Sequence, residues 1–349
     1  MAENQQHILV YRLSSMGDVA MTVPVLELLL LQNPNLNLTV VSRPEFEALF
    51  RQLPRTAFFS VDTKENYKGL SGIFKLSVDI AKIKPNYIAD LHSVLRSKIL
   101  KFFLKFRLAV PTKSIEKGRG DKKKLCANNP QKKLYQLKTT FERYADVFRA
   151  LGFYLDLNSE MTYPSFRLSK KSMYLFSKSE NQTALGIAPF ARYAAKTYPL
   201  QLMQKVLTQL IVEYPNIHIY LFGGKSDLEK LQKLKTVNPG KITIVANELD
   251  LSEELELMSK LKLMLTMDSA NMHLASMLGI SVVSLWGATH PFLGFYGWQQ
   301  NPNNAICADR IQYPTLPTSV NGSKVHPGTE KCMETIDPMD VVKKIIENL

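Results

Sequence analysis

The sequence predicts an α/β protein with two parallel-sheet halves, and three observations carry that prediction. Short apolar runs alternate with stretches of helical spacing, first over 7–106 and again over 184–286. A polar, basic stretch over 113–133 and a weakly alternating one over 155–171, with Pro164 inside it, separate the two series. The sharpest unit, 262–298 (KLMLTMDSANMHLASMLGISVVSLWGATHPFLGFYGW), reads as strand, turn, helix, strand and loop. Two buried parallel strands joined by one helix make a βαβ unit, and open sheets of such units bind ligands at the strand C-ends. The 349 residues suffice for two domains.

In order, a strand over 7–12 (HILVYR) runs into Leu13, Ser14, Ser15, Met16, Gly17 and Asp18, followed by an apolar helix over 19–31 that contains Pro24. A strand over 37–41, a helix over 43–50, a strand over 57–61, a helix over 70–83 ending before Pro85, a strand over 87–91 and a helix over 95–106 complete the first series. The stretch 113–133 reads as a mobile loop, and 134–151 as an amphipathic helix with Tyr135, Phe141, Tyr144 and Phe148 among its apolar positions. The inter-domain connection is expected within 155–171. The second series runs strand 184–188, helix 200–212, strand 218–222, helix 228–234, strand 242–245 and helix 253–261, then enters the βαβ unit. Beyond Trp298 the pattern thins to Asn/Pro-rich loop, and 338–349 forms a closing helix. No internal repeat has a solenoid period.

Hydrophobic content of 45% with 21% charged residues fits a globular chain, and no run approaches the ~18 apolar residues of a membrane span. The first residues, Met1 to Gln6, have no basic n-region, so a signal peptide is not expected. Cys126, Cys307 and Cys332 are scattered, without metal-ligand spacing, which suits a reducing cytoplasm. The net charge of +13 is concentrated: 96–133 holds thirteen Lys or Arg against Glu116 and Asp121. That asymmetry points to an anionic partner. The stretch 96–107 (RSKILKFFLKFR) places Lys98, Lys101 and Lys105 along one helical face, as in helices that lie on anionic lipid or in a domain helix with a solvated basic side. Lys117, Arg119, Lys122, Lys123 and Lys124 beyond it add to the membrane reading. No nucleic-acid module is recognisable.

Three turns carry candidate chemistry. Asp268 or Ser269 suits the N-cap of the helix that follows, leaving N–H groups and the positive dipole end for an anion, with His273 one turn in. A capped core helix with an incidental histidine has the same spacing. Asp18 opens a helix, where the dipole alone stabilises a carboxylate, or acts as a general base. Gly223 and Gly224 end a strand, as a nucleotide-side loop or an ordinary bend. There is no G-x-G-x-x-G after the first strand and no G-x-x-x-x-G-K-[ST], so dinucleotide and P-loop readings lose support. No acidic D-x-D stands at a strand end, and no metal site is expected.

Four segments together resemble glycosyltransferase family 9, the ADP-heptose:lipopolysaccharide heptosyltransferases. They are 12–18 (RLSSMGD); Lys196 to Pro199 (KTYP); 268–275 (DSANMHLA) with Leu278, Gly279, Gly287, Ala288, Thr289 and Pro291; and Lys331, Cys332, Met333, Glu334, Ile336 and Pro338. The resemblance implies a GT-B fold, two Rossmann-like domains facing across a cleft. It divides the chain into an acceptor-binding domain over 1–165, a nucleotide-sugar domain over 166–337 and a helix over 338–349 packing back on the first domain. It implies inverting, metal-independent transfer of heptose from ADP-heptose to a lipopolysaccharide inner-core acceptor, without a cofactor, at the inner face of the inner membrane. Asp18 is then the base. Lys196, His273, Gly223, Gly224 and the turn Asp268, Ser269 and Ala270 face the donor; Ser15, Gly17 and Arg96 face the acceptor. The anionic membrane surface would be met through 96–133. The chain departs from the family's usual Gly at Ala270 and from its usual Ser or Thr at Phe190 and Ala191, which keeps another nucleotide-sugar open, and the basic stretch 96–133 keeps open a non-catalytic anionic-glycolipid-binding protein.

Overall fold

The computed structural model describes residues 5–349; the reading of the N-terminal residues against a signal peptide therefore falls partly outside the described residues. The chain forms two compact units. The first comprises the chain up to Lys117 with Thr140–Thr162, and the second Gly118–Thr139 with Tyr163–Leu349.

The first unit is built on β1 (Gln6–Tyr11), β2 (Leu36–Ser42), β3 (Thr56–Ser60), β4 (Tyr87–Asp90) and β5 (Thr112–Ser114), in the order β3-β2-β1-β4-β5. All pairings are parallel, with Tyr11 opposite Val41 on one side and Asp90 on the other. Parallel strands are covered on both faces, so they read as unbroken apolar runs; Ile8, Leu9 and Val10 are buried accordingly. The helices are α1 (Met16–Ala20), α2 (Thr22–Gln32), α3 (Gly69–Lys82) and α4 (Leu95–Leu108). The single helix expected over 19–31 is thus two. Pro24 sits in the first turn of α2, where the missing N–H has no helical partner to lose. The helix expected over 43–50 is a 3₁₀ turn, Pro44–Leu49.

The stretch 113–133 is a loop only in part. Gly118, at φ +60°, starts α5 (Arg119–Leu125), with Asp121 in its first turn and Lys122, Lys123 and Lys124 in its last, the order the helix dipole favours. Leu125 and Leu137 form a small core with Leu293 in the second unit. Lys132 Nζ donates to the carbonyls of Ala127, Thr315 and Pro317 at 2.6–2.9 Å. The expected helix over 134–151 begins only at Thr140, as α6 (Thr140–Arg149), because the Leu137 N–H donates to the Phe292 carbonyl instead of continuing a helix. The contiguous domain over 1–165 is corrected in the same way: 118–139 belongs to the second unit.

The second unit has β6 (Thr183–Ala188), β7 (Ile217–Leu221), β8 (Ile242–Ile244), β9 (Leu263–Met267), β10 (Ser281–Trp286) and β11 (Ala305–Cys307), ordered β11-β10-β9-β6-β7-β8 and parallel throughout. Its helices are α7 (Lys170–Phe176), α8 (Leu200–Glu213), α9 (Leu228–Lys235), α10 (Leu251–Met258), α11 (Ala270–Met277) and α12 (Pro338–Ile346). β11 and α7 were not evident from the pattern. α7 is only seven residues long and is fixed by Glu256 on α10, which accepts from the Ser169 N–H and the Ser172 hydroxyl. The closing helix α12 buries Val341, Val342 and Ile345 in one core with Met203, Val206 and Leu210 of α8. It is built into the second unit. Among the described residues no helix is long and apolar enough to cross a membrane.

One helix carries a pH-dependent strain. Burial, with Asp250 adding, pushes Glu254 on α10 from its ordinary value near 4.5 up to about 7. The folded chain then holds a proton that the unfolded chain releases, so this group's contribution falls as pH rises from about 4.5 to about 7, by roughly 3 kcal/mol in total. Burial lowers His92 to about 3 and His218 and His290 to about 4, which acts in the opposite sense below about 6.5. Glu254→Gln isolates the carboxyl. Urea unfolding at a series of pH values is expected to show the variant gaining on the wild type as pH rises from 5 to 8. A pH-independent difference would mean that the carboxyl is not strained.

Candidate active site

Both sheets share one topological feature. In the first, the chain moves outward from β1 through β2 and β3, then returns to place β4 on the other side of β1. In the second, it moves from β6 through β7 and β8, then returns to place β9 beside β6. Loops diverge at such switch points, leaving a crevice at the strand C-ends where ligands bind. The sequence-derived candidates gather at both.

At the first switch point Arg12 directly follows β1 and is buried, with its guanidinium donating to the Leu91 carbonyl beyond β4 at 2.7 Å and pairing with Asp18 at 2.8 Å. Three donors converge on Asp18 Oδ2: Arg12, the Ser15 hydroxyl at 2.7 Å and the Ser15 N–H at 3.2 Å. The buried Tyr144 on α6 donates its hydroxyl to the Asp18 carbonyl at 3.1 Å. Asp18 is thereby fixed from both backbone and side chain while remaining partly exposed to solvent. Ser15 precedes α1 and Gly17 lies within it. Arg12 and Tyr144 are functional neighbours that the sequence reading did not single out; the arginine at the inner end of a buried strand was the available signal.

After β4, buried Asp90 holds the turn into α4. Its two oxygens accept from the His92 and Ser93 N–H groups and from the Ser97 and Ser114 hydroxyls. Arg96, in the first turn of α4, is half-buried and donates to the Tyr67 carbonyl at 2.9 Å. Burial, reinforced by Arg12, holds the His92 imidazole neutral. It lies 3.4 Å from the Ser14 hydroxyl, so its place is in the wall of the turn.

At the second switch point the loops after β6, β9 and β10 meet. Lys196 follows β6, Asp268 follows β9 and Thr289 follows β10. Asp268 Oδ2 accepts from Lys196 Nζ at 3.2 Å and from the Thr289 hydroxyl at 2.7 Å, with both charged side chains largely buried. Two glycines make room. A Cβ at Gly322, whose φ is +85°, would stand 2.6 Å from the Lys196 stem. A Cβ at Gly287 would stand 2.7 Å from the Ala195 carbonyl, the group that accepts from the Ala288 N–H. Neither glycine's service to the lysine is readable from spacing.

α11 begins beside this pair. Ser269 occupies its N-cap in extended conformation, but its hydroxyl pairs with Thr266 at 3.1 Å and makes no side-chain cap. Ser269 is thus the N-cap residue, as expected, but without a cap bond from its side chain: Asp268 serves Lys196 and Thr289, and the Ser269 hydroxyl turns inward. The first-turn N–H groups, with Ala270 leading, keep the dipole's positive end for an anion. His273 is buried one turn on. Gly223 and Gly224 end β7, one strand out from β6, where Asp227 accepts from the Gly224 N–H at 2.9 Å and starts the next helix. In the loop after β6 the Thr197 hydroxyl accepts from the Ala191 N–H at 3.3 Å, and the Lys230 ammonium sits 5.5 Å from the Phe190 ring centroid. Among the described residues no three His, Cys, Asp or Glu side chains cluster as metal ligands. Burial pushes Cys126 and Cys332 up to about 11 and Cys307 to about 12, so none is a ready thiolate.

Two α/β units, each built on a parallel sheet with charged side chains at its switch point, make up the architecture of the GT-B fold. The family model for glycosyltransferase family 9 (heptosyltransferase) matches residues 87–322, and the chain belongs to that family. It is 22% identical over 299 residues to the lipopolysaccharide core heptosyltransferase OpsX of Haemophilus influenzae, covering 83% of this chain and 81% of that one. A family 9 glycosyl transferase from Veillonella parvula superposes with a TM-score of 0.74 at 19% identity, covering 99% of this chain and 98% of that one. The E. coli heptosyltransferase WaaC with ADP superposes with a TM-score of 0.68 at 16% identity, covering 99% and 100%.

Proposed function

We propose that this transferase moves a heptose from ADP-heptose to an acceptor in the lipopolysaccharide inner core, with inversion. The observation that carries the reading is the Lys196–Asp268–Thr289 cluster beside the first turn of α11, a cation and free helix N–H groups at one switch point. The donor's diphosphate is anionic and suits both. The names of the relatives, a lipopolysaccharide core heptosyltransferase and a heptosyltransferase with ADP, favour this donor and acceptor.

In the reaction the acceptor hydroxyl gives its proton to the Asp18 carboxylate as its oxygen bonds to the anomeric carbon. The bond from that carbon to the diphosphate breaks, and its electron pair leaves with ADP. Lys196, the α11 N-terminus and His273 stabilise the charge growing on the leaving diphosphate. Ser15, Gly17 and Arg96 line the acceptor side, and Gly223 and Gly224 the nucleotide side. The acceptor places the enzyme in the cytoplasm, on the inner face of the inner membrane, with basic residues of 96–133 toward anionic lipid.

Calorimetric titration with ADP, UDP, GDP and an ADP-heptose analogue tests the donor. Selective ADP binding is expected, weakened about 10- to 100-fold in Lys196→Ala and clearly reduced in His273→Ala. Preference for another nucleotide would keep the transferase and replace its donor, the second reading, favoured by Ala270 and the Phe190–Ala191 loop. Binding to none of them would favour a glycolipid-binding protein without turnover.

A further inference from the structure

α4 is apolar on two opposite edges, and only one of them has a partner. At 100° per residue, Ser97, Leu100 and Leu104 point toward the sheet, and all three are buried. Leu95, Phe102 and Phe106 fall within about 40° of one another on the opposite edge, the direction in which a domain helix normally presents polar groups. They are 74%, 59% and 74% exposed. The edge continues onto α3: the Phe106 ring meets Phe102, Phe102 meets Phe103, and Phe103 meets Phe74, with centroids 5.0–5.9 Å apart. Phe74 and Leu70 are themselves exposed. Scattered exposed apolar residues are normal, but a connected aromatic ridge on the outermost line of a helix marks an interaction surface.

The charge around the ridge selects the partner. α4 carries Arg96, Lys98, Lys101, Lys105 and Arg107 and no carboxylate. Lys98 and Lys105 are exposed along one flank, and the Arg107 guanidinium lies 4.7 Å from the Phe74 ring centroid on the other. Arg96 turns to the Tyr67 carbonyl and Lys101 to the Ser114 hydroxyl, so the ridge itself is flanked by Lys98, Lys105 and Arg107, and a second copy of this face would set those three cations against three. An anionic bilayer offers acyl chain for the rings and headgroup charge for the lysines. Of the basic residues of 118–133, Arg119, Lys123, Lys124 and Lys133 are exposed on the second unit, and two are tied down within it. The Lys122 ammonium lies 3.8 Å from the Phe295 ring centroid, Lys132 is held by three carbonyls, and both belong to the second unit.

We propose that the outer edge of α4, with Leu70 and Phe74 of α3, docks the first unit onto an anionic phospholipid bilayer, Phe102 and Phe106 entering the interface. This rests on, and narrows, the membrane-side reading of 96–133 given above. The test is flotation of the full chain with vesicles of neutral phosphatidylcholine, with or without phosphatidylglycerol, in the absence of donor and acceptor. Binding is expected only with phosphatidylglycerol and should weaken as salt rises. Phe102→Ser/Phe106→Ser and, separately, Lys98→Glu/Lys105→Glu are each expected to reduce it by about tenfold or more. ADP titration checks that each variant is folded and separates a failure of docking from a failure of the donor reading. Should the serine variant fail to fold, the glutamate variant carries the test. Vesicle binding unchanged in a folded variant would overturn the proposal. So would equal binding to neutral vesicles, or a wild-type dimer that binds no vesicle and dissociates in the folded variant.

Discussion

Asp18→Asn should lower the rate of transfer by about 10²- to 10⁴-fold, the range expected for losing a positioned general base. The substitution keeps an oxygen for the Ser15 hydroxyl and N–H to donate to, so the turn into α1 retains its local bonds. What it removes is the negative charge that faces Arg12 at 2.8 Å and the lone pair that would take the acceptor proton. Arg12 is buried and keeps its bond to the Leu91 carbonyl, so some stability goes with its counter-ion, which thermal unfolding will register. Because the proton moves only as the bond forms, the loss should appear in kcat, with KM for both substrates nearly unchanged. Ser15→Ala separates positioning from proton transfer. It leaves the charge but loosens the carboxylate, and should cost far less than Asp18→Asn. A folded Asp18→Asn protein turning over at near wild-type rate would remove Asp18 from the chemistry.

The sequence discloses the strands better than the sites, for a physical reason. Val282, Val283 and Leu285, like Leu263 and Leu265, are covered on both faces, so their strands read as continuous apolar runs whatever lies beside them. The order of strands leaves no such trace. Nothing in the spacing says that β9 returns to β6, yet that pairing brings Asp268 to Lys196 across 72 positions. The turns before α1 and α11 were recognisable as chemistry because their polar residues interrupt apolar runs. Arg12 lies beside its turn, but the other partners that shape them, Tyr144, Thr289 and Gly322, come from elsewhere in the chain. The stretch 118–139 was unreadable for a different reason: Leu125 and Leu137 are isolated in a basic background, and their common partner Leu293 lies far along the sequence.

The proposed function makes the Lys196–Asp268 pair a coupling between fold and donor binding, and Asp268→Ala is expected to cost about 3–5 kcal/mol of stability. Both side chains are largely buried, and removing one partner of such a pair leaves the other charge uncompensated. Thr289 loses its acceptor in the same step, and the Lys196 stem stays confined against Gly322. A donor diphosphate would supply the missing anion, so the variant should recover part of its stability on adding ADP, by more than the wild type gains at the same concentration. Lys196→Met/Asp268→Asn makes the opposite comparison. With both charges gone and volume nearly conserved, stability should return to within about 1–2 kcal/mol of wild type while ADP affinity stays low. Wild-type ADP affinity in the double variant would mean that Lys196 serves the fold alone and that the α11 N-terminus holds the diphosphate without it. An Asp268→Ala protein as stable as wild type would show instead that water reaches the lysine, and the coupling between pair and donor would fail with it.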